Sequence, residues 1–222
     1  MLATFLALSV VLSALLQAGT TLAAPVGQEG TARAADLSHM TITIVNKHTA
    51  AVSTTHASNA GPTPISGGQG AGTLAKGAQD VVVVPQDWAG NIQFVEAGGS
   101  HKIVGDESWL EGSLKEVMGK WMVGVDVSYV NGFSVPITCT CDEDNKFLSG
   151  CNKDLWTMST CPQNNGMGSC KNPLRVPLGK QEPTPFFKPC EAKAYTYPSD
   201  DMAMSEGTCQ DGRVTCCVGT AC

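Results

Sequence analysis

All ten cysteines of this 222-residue chain lie between Cys139 and Cys222. The chain opens "MLATFLALSVVLSALLQAGTTLAA", an apolar run that ends in small residues before Pro25. Residues 1–24 therefore read as a secretory signal peptide, although the usual basic start is missing. A membrane anchor is the rival reading, but the apolar core is short of a span of roughly 20 residues. An even cysteine count in an exported chain implies disulfides before metals. The Cys139-Thr140-Cys141 and Cys216-Cys217 pairs lack zinc-ribbon spacing, so no metal is expected. A chain built this way needs a first half that forms its core without crosslinks and a second half of stapled loops. Residues 25–38, "PVGQEGTARAADLS", are small, polar and aperiodic, and read as a flexible leader or pro-segment.

The net charge is −6. That balance argues against nucleic acid and anionic membranes as partners, and the expectation is a soluble monomer. From residue 39 to 222 the pattern suits one all-β domain. "TITIV" alternates, "AVSTTHAS" is β-branched, "DVVVVP" is a short apolar run, and "KWMVGVDVSYV" alternates again. Ala89-Gly90-Asn91 predicts a turn before a strand. Asn131-Gly132 predicts a tight hairpin turn with φ > 0, joining "KWMVGVDVSYV" to "GFSVPITCTC". "GGQGAG" (residues 67–72) predicts a flexible loop, because no helix follows to hold a phosphate. From Cys141 to about Pro189 alternation is lost, apart from a short helical turn near Lys153–Met158. The four histidines, His39, His48, His56 and His101, show no metal spacing and no nucleophile motif, and are expected to be exposed. Trp121 has apolar neighbours and is expected in the core, whereas Trp88, in a turn, is the better exposed aromatic.

Five segments occur in an order that carries a family likeness: "DVSYVNGFSVP" from Asp126, "GCNKDLWTMSTCP" from Gly150, "GSCKNP" from Gly168, "PTPFFKPCEAKAYTYPSDD" from Pro183 and "TCQDGRVTCC" from Thr208. The chain resembles the thaumatin-like (osmotin-like) proteins over roughly residues 40–220, and their shorter, fungal-type members most. The likeness is specific in the second half and loose before residue 100. It implies a sandwich of two antiparallel sheets with a disulfide-rich loop excursion over residues 142–189. It also implies pairing of Cys151 with Cys190, Cys161 with Cys170, and Cys141 or Cys139 with Cys209. The partners of Cys139, Cys216, Cys217 and Cys222 stay open. Between the sheets and the excursion the family carries an acidic cleft, which in some members binds β-1,3-glucan and in a few weakly hydrolyses it. No cofactor is implied.

Carried over position by position, the cleft acids fall on Glu111, Asp126 and Asp200, with Asp201 beside the last. Asn131 stands where the family usually has a further acid. No arginine occupies the basic position, and Lys102 is the nearest candidate. Glycoside hydrolysis needs one protonated acid and one ionised carboxylate on either side of the scissile bond. Convergent like charges raise one pKa, which keeps one acid protonated near neutrality. The same carboxylates also accept hydrogen bonds from sugar hydroxyls, so they serve a non-catalytic groove equally well. Each has a plainer reading beside this one. Asp126 is a polar-face residue of its strand, Glu111 a surface acid, and Asp200 a turn cap after Pro198. The missing acid at Asn131 and the missing arginine favour binding of a cell-wall polysaccharide, β-1,3-glucan or a relative, without efficient turnover. A weak endo-β-1,3-glucanase with Glu111 as acid, and Asp126 or Asp200 as its partner, is one alternative. A secreted effector or defence protein acting on a protein partner is the other.

Overall fold

The computed structural model describes residues 37–68, 70–176 and 181–222. The expected signal peptide, and the leader up to residue 36, lie outside the described residues. Leu37, which the leader was expected to include, is buried, and its carbonyl accepts a hydrogen bond from Gln86 Nε2 at 2.8 Å.

Among the described residues twelve strands carry the fold: β1 His39–Asn46, β2 Val52–Ser58, β3 Gly70–Leu74, β4 Gln79–Pro85, β5 Ala89–Glu96, β6 Ser108–Val117, β7 Lys120–Ser128, β8 Gly132–Phe133, β9 Ile137–Cys141, β10 Phe147–Cys151, β11 Cys170–Lys171 and β12 Arg213–Val218. Among the described residues the one α-helix, α1, is a single turn from Leu155 to Met158, and short 3₁₀ turns occupy Lys188–Cys190 and Asp201–Ala203. One five-stranded sheet has the order β10-β9-β12-β1-β4, the other β3-β2-β5-β6-β7, and β8 pairs with β11 in a small ladder. The second sheet is antiparallel throughout. The first is antiparallel except where β1 runs parallel to β12.

Period-2 burial decides which residues meet. Met40, Ile42 and Ile44 of β1 are buried, as are Val123, Val125 and Val127 of β7. The inward residues of both sheets form one apolar core. Gly112 of β6 lies so near β1 that a Cβ there would stand 3.4 Å from Ile42 Cδ1. Two five-stranded sheets, mainly antiparallel, thus enclose the core as the sequence leads one to expect for an all-β chain.

Several local expectations change. Asn131-Gly132 does not turn a hairpin: β7 pairs with β6, while Gly132 and Phe133 pair with β11. Neither Asn131 nor Gly132 has positive φ. Gly132 is required for a different reason, since a Cβ there would meet Asp106 O at 2.1 Å and Cys170 O at 2.6 Å. The true two-residue hairpin is Met118-Gly119 between β6 and β7, with φ of 51° and 76°. Ala89-Gly90-Asn91 belongs to β5, and the turn falls just before it, where Asp87 has φ of 65°. Part of the expected 67–72 loop is the edge strand β3. β10 continues the first sheet into the segment read as loop.

Trp88, read as the exposed aromatic, is buried in the core with Nε1 donating to Ser58 Oγ at 3.1 Å. Three of the four histidines are not exposed: His48, His56 and His101 are each partly covered. His48 and His56 lie 2.8 and 3.8 Å from Glu96 and Asp80 carboxylates. Trp121 packs against the core from its margin.

Five disulfides join Cys139–Cys216, Cys141–Cys209, Cys151–Cys190, Cys161–Cys170 and Cys217–Cys222. The pairs at Cys209, Cys190 and Cys161 are those the resemblance implies. Cys139 and Cys216 are direct cross-strand partners in β9 and β12, with Cα atoms 4.0 Å apart. Cys151–Cys190 closes 39 residues of loop-rich chain. In the chain-entropy account a loop of that length stabilises by about 4 kcal/mol. Such a framework belongs to an oxidising, extracellular kind of compartment. Among the described residues no helix is long and apolar enough to cross a membrane.

Candidate functional site

Glu111 and Asp126 are direct cross-strand partners in β6 and β7. Leu110 and Leu114 of β6, like Val125 and Val127 of β7, point into the core. Alternation therefore sends both carboxylates to the outer face of the second sheet. Asn91 of β5 is the partner of Glu111 on its other side, so Asn91, Glu111 and Asp126 form one row across three strands. A parallel row follows two residues along each strand: Gln93, Trp109 and Ser128. Gln93 Nε2 donates to Asn91 Oδ1 at 3.2 Å, which ties the two rows together. A small concavity of about 150 Å³ opens beside the acids, lined by Asn59, Ala89, Gly90, Glu111, Gly112, Ser113, Gly124 and Asp126. Its floor is low because Gly124, opposite Ser113, offers no side chain to fill it.

Both acids hold their protons more tightly than ordinary carboxyls do. Desolvation raises the Glu111 carboxyl above its ordinary range, opposed by a hydrogen bond with Ser128 and reinforced by the Asp126 charge. Glu111 is itself exposed, so solvent moderates that effect. Desolvation likewise raises Asp126, opposed by hydrogen bonds from Ser205 and reinforced by Glu206. Ser205 N donates to Asp126 Oδ1 at 3.0 Å, while Ser205 Oγ donates to Val125 O at 2.6 Å. The 3₁₀ turn and the loop after it are thereby pinned along the edge of β7.

Tyr195 completes that edge. Its N–H donates to Val127 O at 2.9 Å, and its carbonyl accepts from Tyr129 N at 2.7 Å. Burial pushes the Tyr195 phenol up to about 12, with Asp126, Asp201, Glu111 and Asp200 adding in that order. The phenol thus stands within the field of all four acids and stays neutral, as a donor, at any ordinary pH. Fully buried Asn172 holds this arrangement: its Nδ2 donates to Tyr129 O at 2.9 Å and Thr196 O at 2.8 Å, and its N–H to Asn131 O at 3.0 Å.

The remaining sequence candidates are distributed differently. Asp200 lies near the cluster, but it is buried and its Oδ2 accepts from Thr196 N at 3.2 Å and Thr196 Oγ1 at 2.8 Å. Its carboxylate holds a turn, whereas neighbouring Asp201 is exposed. Asn131 is half-buried, and its carbonyl receives Asn172. Lys102 is exposed and does not line the concavity; its N–H donates to Met167 O in the disulfide loop. Arg175 does not supply the missing base either, since it does not line the concavity. It pairs with Asp106 at 2.6 Å, and its own N–H donates to Asn172 O. Tyr195, Ser205, Asn91 and Trp109 were missed. Parity shared with Glu111 or Asp126 is the signal that would have found Asn91 and Trp109, but it is readable only once strand partners are known. No family model and no curated protein matches the chain.

Proposed function

We propose that the chain is a secreted protein of thaumatin-like architecture that binds β-1,3-glucan, or a related cell-wall polysaccharide, on the Glu111–Asp126 face without efficient turnover. One observation carries this reading: the two carboxylates are nearest cross-strand neighbours on a single face of a single sheet. Side chains directly opposite one another have Cβ atoms roughly 4.5–5.5 Å apart and project the same way. Projecting side by side from one sheet face, they are placed to accept hydrogen bonds from adjacent hydroxyls of one ligand. Raised carboxyl pKa values, a neutral phenol at Tyr195 and the amides of Asn91 and Gln93 suit a field of sugar hydroxyls, which both donate and accept. The disulfide framework supports secretion.

A second reading, weak endo-β-1,3-glucanase activity, draws on the same raised Glu111, which a general acid would require. Reducing-end release from soluble laminarin over a day separates the two. The binding reading expects no release above a Glu111→Gln, Asp126→Asn double variant. Release that both single variants abolish would establish hydrolysis instead.

A further inference from the structure

We infer a second saccharide site, independent of the acid face, in a groove around Trp156 that takes a neutral oligosaccharide of two or three hexose units. Two cavities meet there. The first, about 450 Å³, is lined by His48, Glu96, His101, Asp154, Trp156 and Asn164, together with smaller residues. The second, about 550 Å³, follows the chain from Trp156 to Cys161. Trp156 and Asn164 line both, so the two cavities adjoin at these residues. Neither shares a lining residue with the concavity at Glu111.

The chain builds this groove with care for its walls. Trp156 is fixed edge-on to Phe186, with ring centroids 5.8 Å apart, and its Nε1 donates to Ser134 O at 3.0 Å. Asp154 caps α1 by accepting from Trp156 N at 3.1 Å. The Cys161–Cys170 bridge closes the loop that brings in Asn164, and Asn165 Oδ1 accepts from both Met167 N and Ser169 N. Gly168 lets the His101 ring lie beneath that loop, since a Cβ there would meet the ring at 2.8 Å. His101 Nδ1 donates to Glu96 O at 3.0 Å, which leaves Nε2 of the neutral ring as an acceptor. His48 Nε2 bonds Glu96 Oε2 at 2.8 Å.

What remains unfilled describes the ligand. Glu96 Oε1, Asp154 Oδ2 and His101 Nε2 are available to accept, and Asn164 Nδ2 to donate. No lysine or arginine lines either cavity among the described residues, so phosphate and sulfate find no cationic fork. An aromatic wall, with hydrogen-bonding groups of both kinds around it, fits a pyranose, which has apolar C–H faces and a rim of hydroxyls.

The test is a ¹⁵N NMR titration of the folded protein with laminaritriose, cellotriose and chitotriose, and with glycerol at equal concentration. The expected result is a saturable shift of the Trp156 indole and the Asn164–Gly168 amides with at least one trisaccharide. It should persist in the Glu111→Gln, Asp126→Asn double variant and weaken about tenfold in His101→Gln and in Asn164→Ser. No shift with any trisaccharide, shifts confined to the Glu111 face, or the same shifts with glycerol would each overturn it. Persistence here with no binding at the acid face would remove the proposed function and leave this site standing.

Discussion

At the scale of single residues, the acid face is a place where the chain works against its own stability. Desolvation raises both Glu111 and Asp126, so the folded state holds their protons more tightly than the unfolded state does. The stability they allow is therefore greatest below the ordinary carboxylate range and falls as pH rises through the raised folded values. Neutral isosteres remove that penalty. Glu111→Gln and Asp126→Asn should each raise the melting temperature by about 1–3 °C at pH 7, with no gain at pH 3. Calorimetry at both pH values decides it, and equal melting curves at pH 7 would show that burial costs these acids nothing. Glycine tells a second residue-scale story. Asn-Gly at 131–132 looks like a hairpin turn, and from one sequence no local signal says otherwise. Gly132 is there because two carbonyl oxygens occupy the space of its Cβ. Gly132→Ala should cost about 3 kcal/mol in urea unfolding, and a cost under 1 kcal/mol would refute the close approach. Local pattern shows that a glycine is needed, not which of two demands needs it.

Elements were readable in proportion to how far their signal stays local. β1 and β12 bury alternate residues, β7 carries its buried valines at alternate positions, and all three show in the sequence. β10 and β3 do not, because an edge strand next to loops carries little apolar alternation; β3 exposes four of its five residues. The β6–β7 hairpin was hidden for a related reason. Its Met118-Gly119 turn puts both residues at φ > 0, a conformation usually given to Asn-Gly, with Met118 99% exposed. Met118→Asn should therefore stabilise by about 0.5–1 kcal/mol, seen as a higher urea midpoint with an unchanged slope. A lower midpoint would mean that the methionine makes a contact the turn depends on. Because β6 and β7 carry Glu111 and Asp126, this hairpin also sets the register of the acid pair.

For the whole molecule, the disulfides and the sheets divide the work. The first sheet and the cysteine-rich segment form a scaffold. The outer face of the second sheet, edged by Tyr195 and the 201–208 segment, presents the acids. Motif order in the second half pointed to Glu111 and Asp126, and the strand pairing puts them side by side. Tyr195 and Ser205 escaped notice because they reach β7 from some 70 to 80 positions away along the chain. Asp200 escaped in the opposite sense: its identity suggested a cleft acid, but its hydrogen bonds commit it to Thr196. The central claim is that a glucan lies across the Glu111–Asp126 row. Co-sedimentation with insoluble β-1,3-glucan measures it directly. Wild-type protein should pellet with the polymer, and the Glu111→Gln, Asp126→Asn double variant should lose at least about tenfold in affinity, roughly 1.4 kcal/mol, while remaining folded. Equal pelleting of the two proteins, or none by either, would contradict the account.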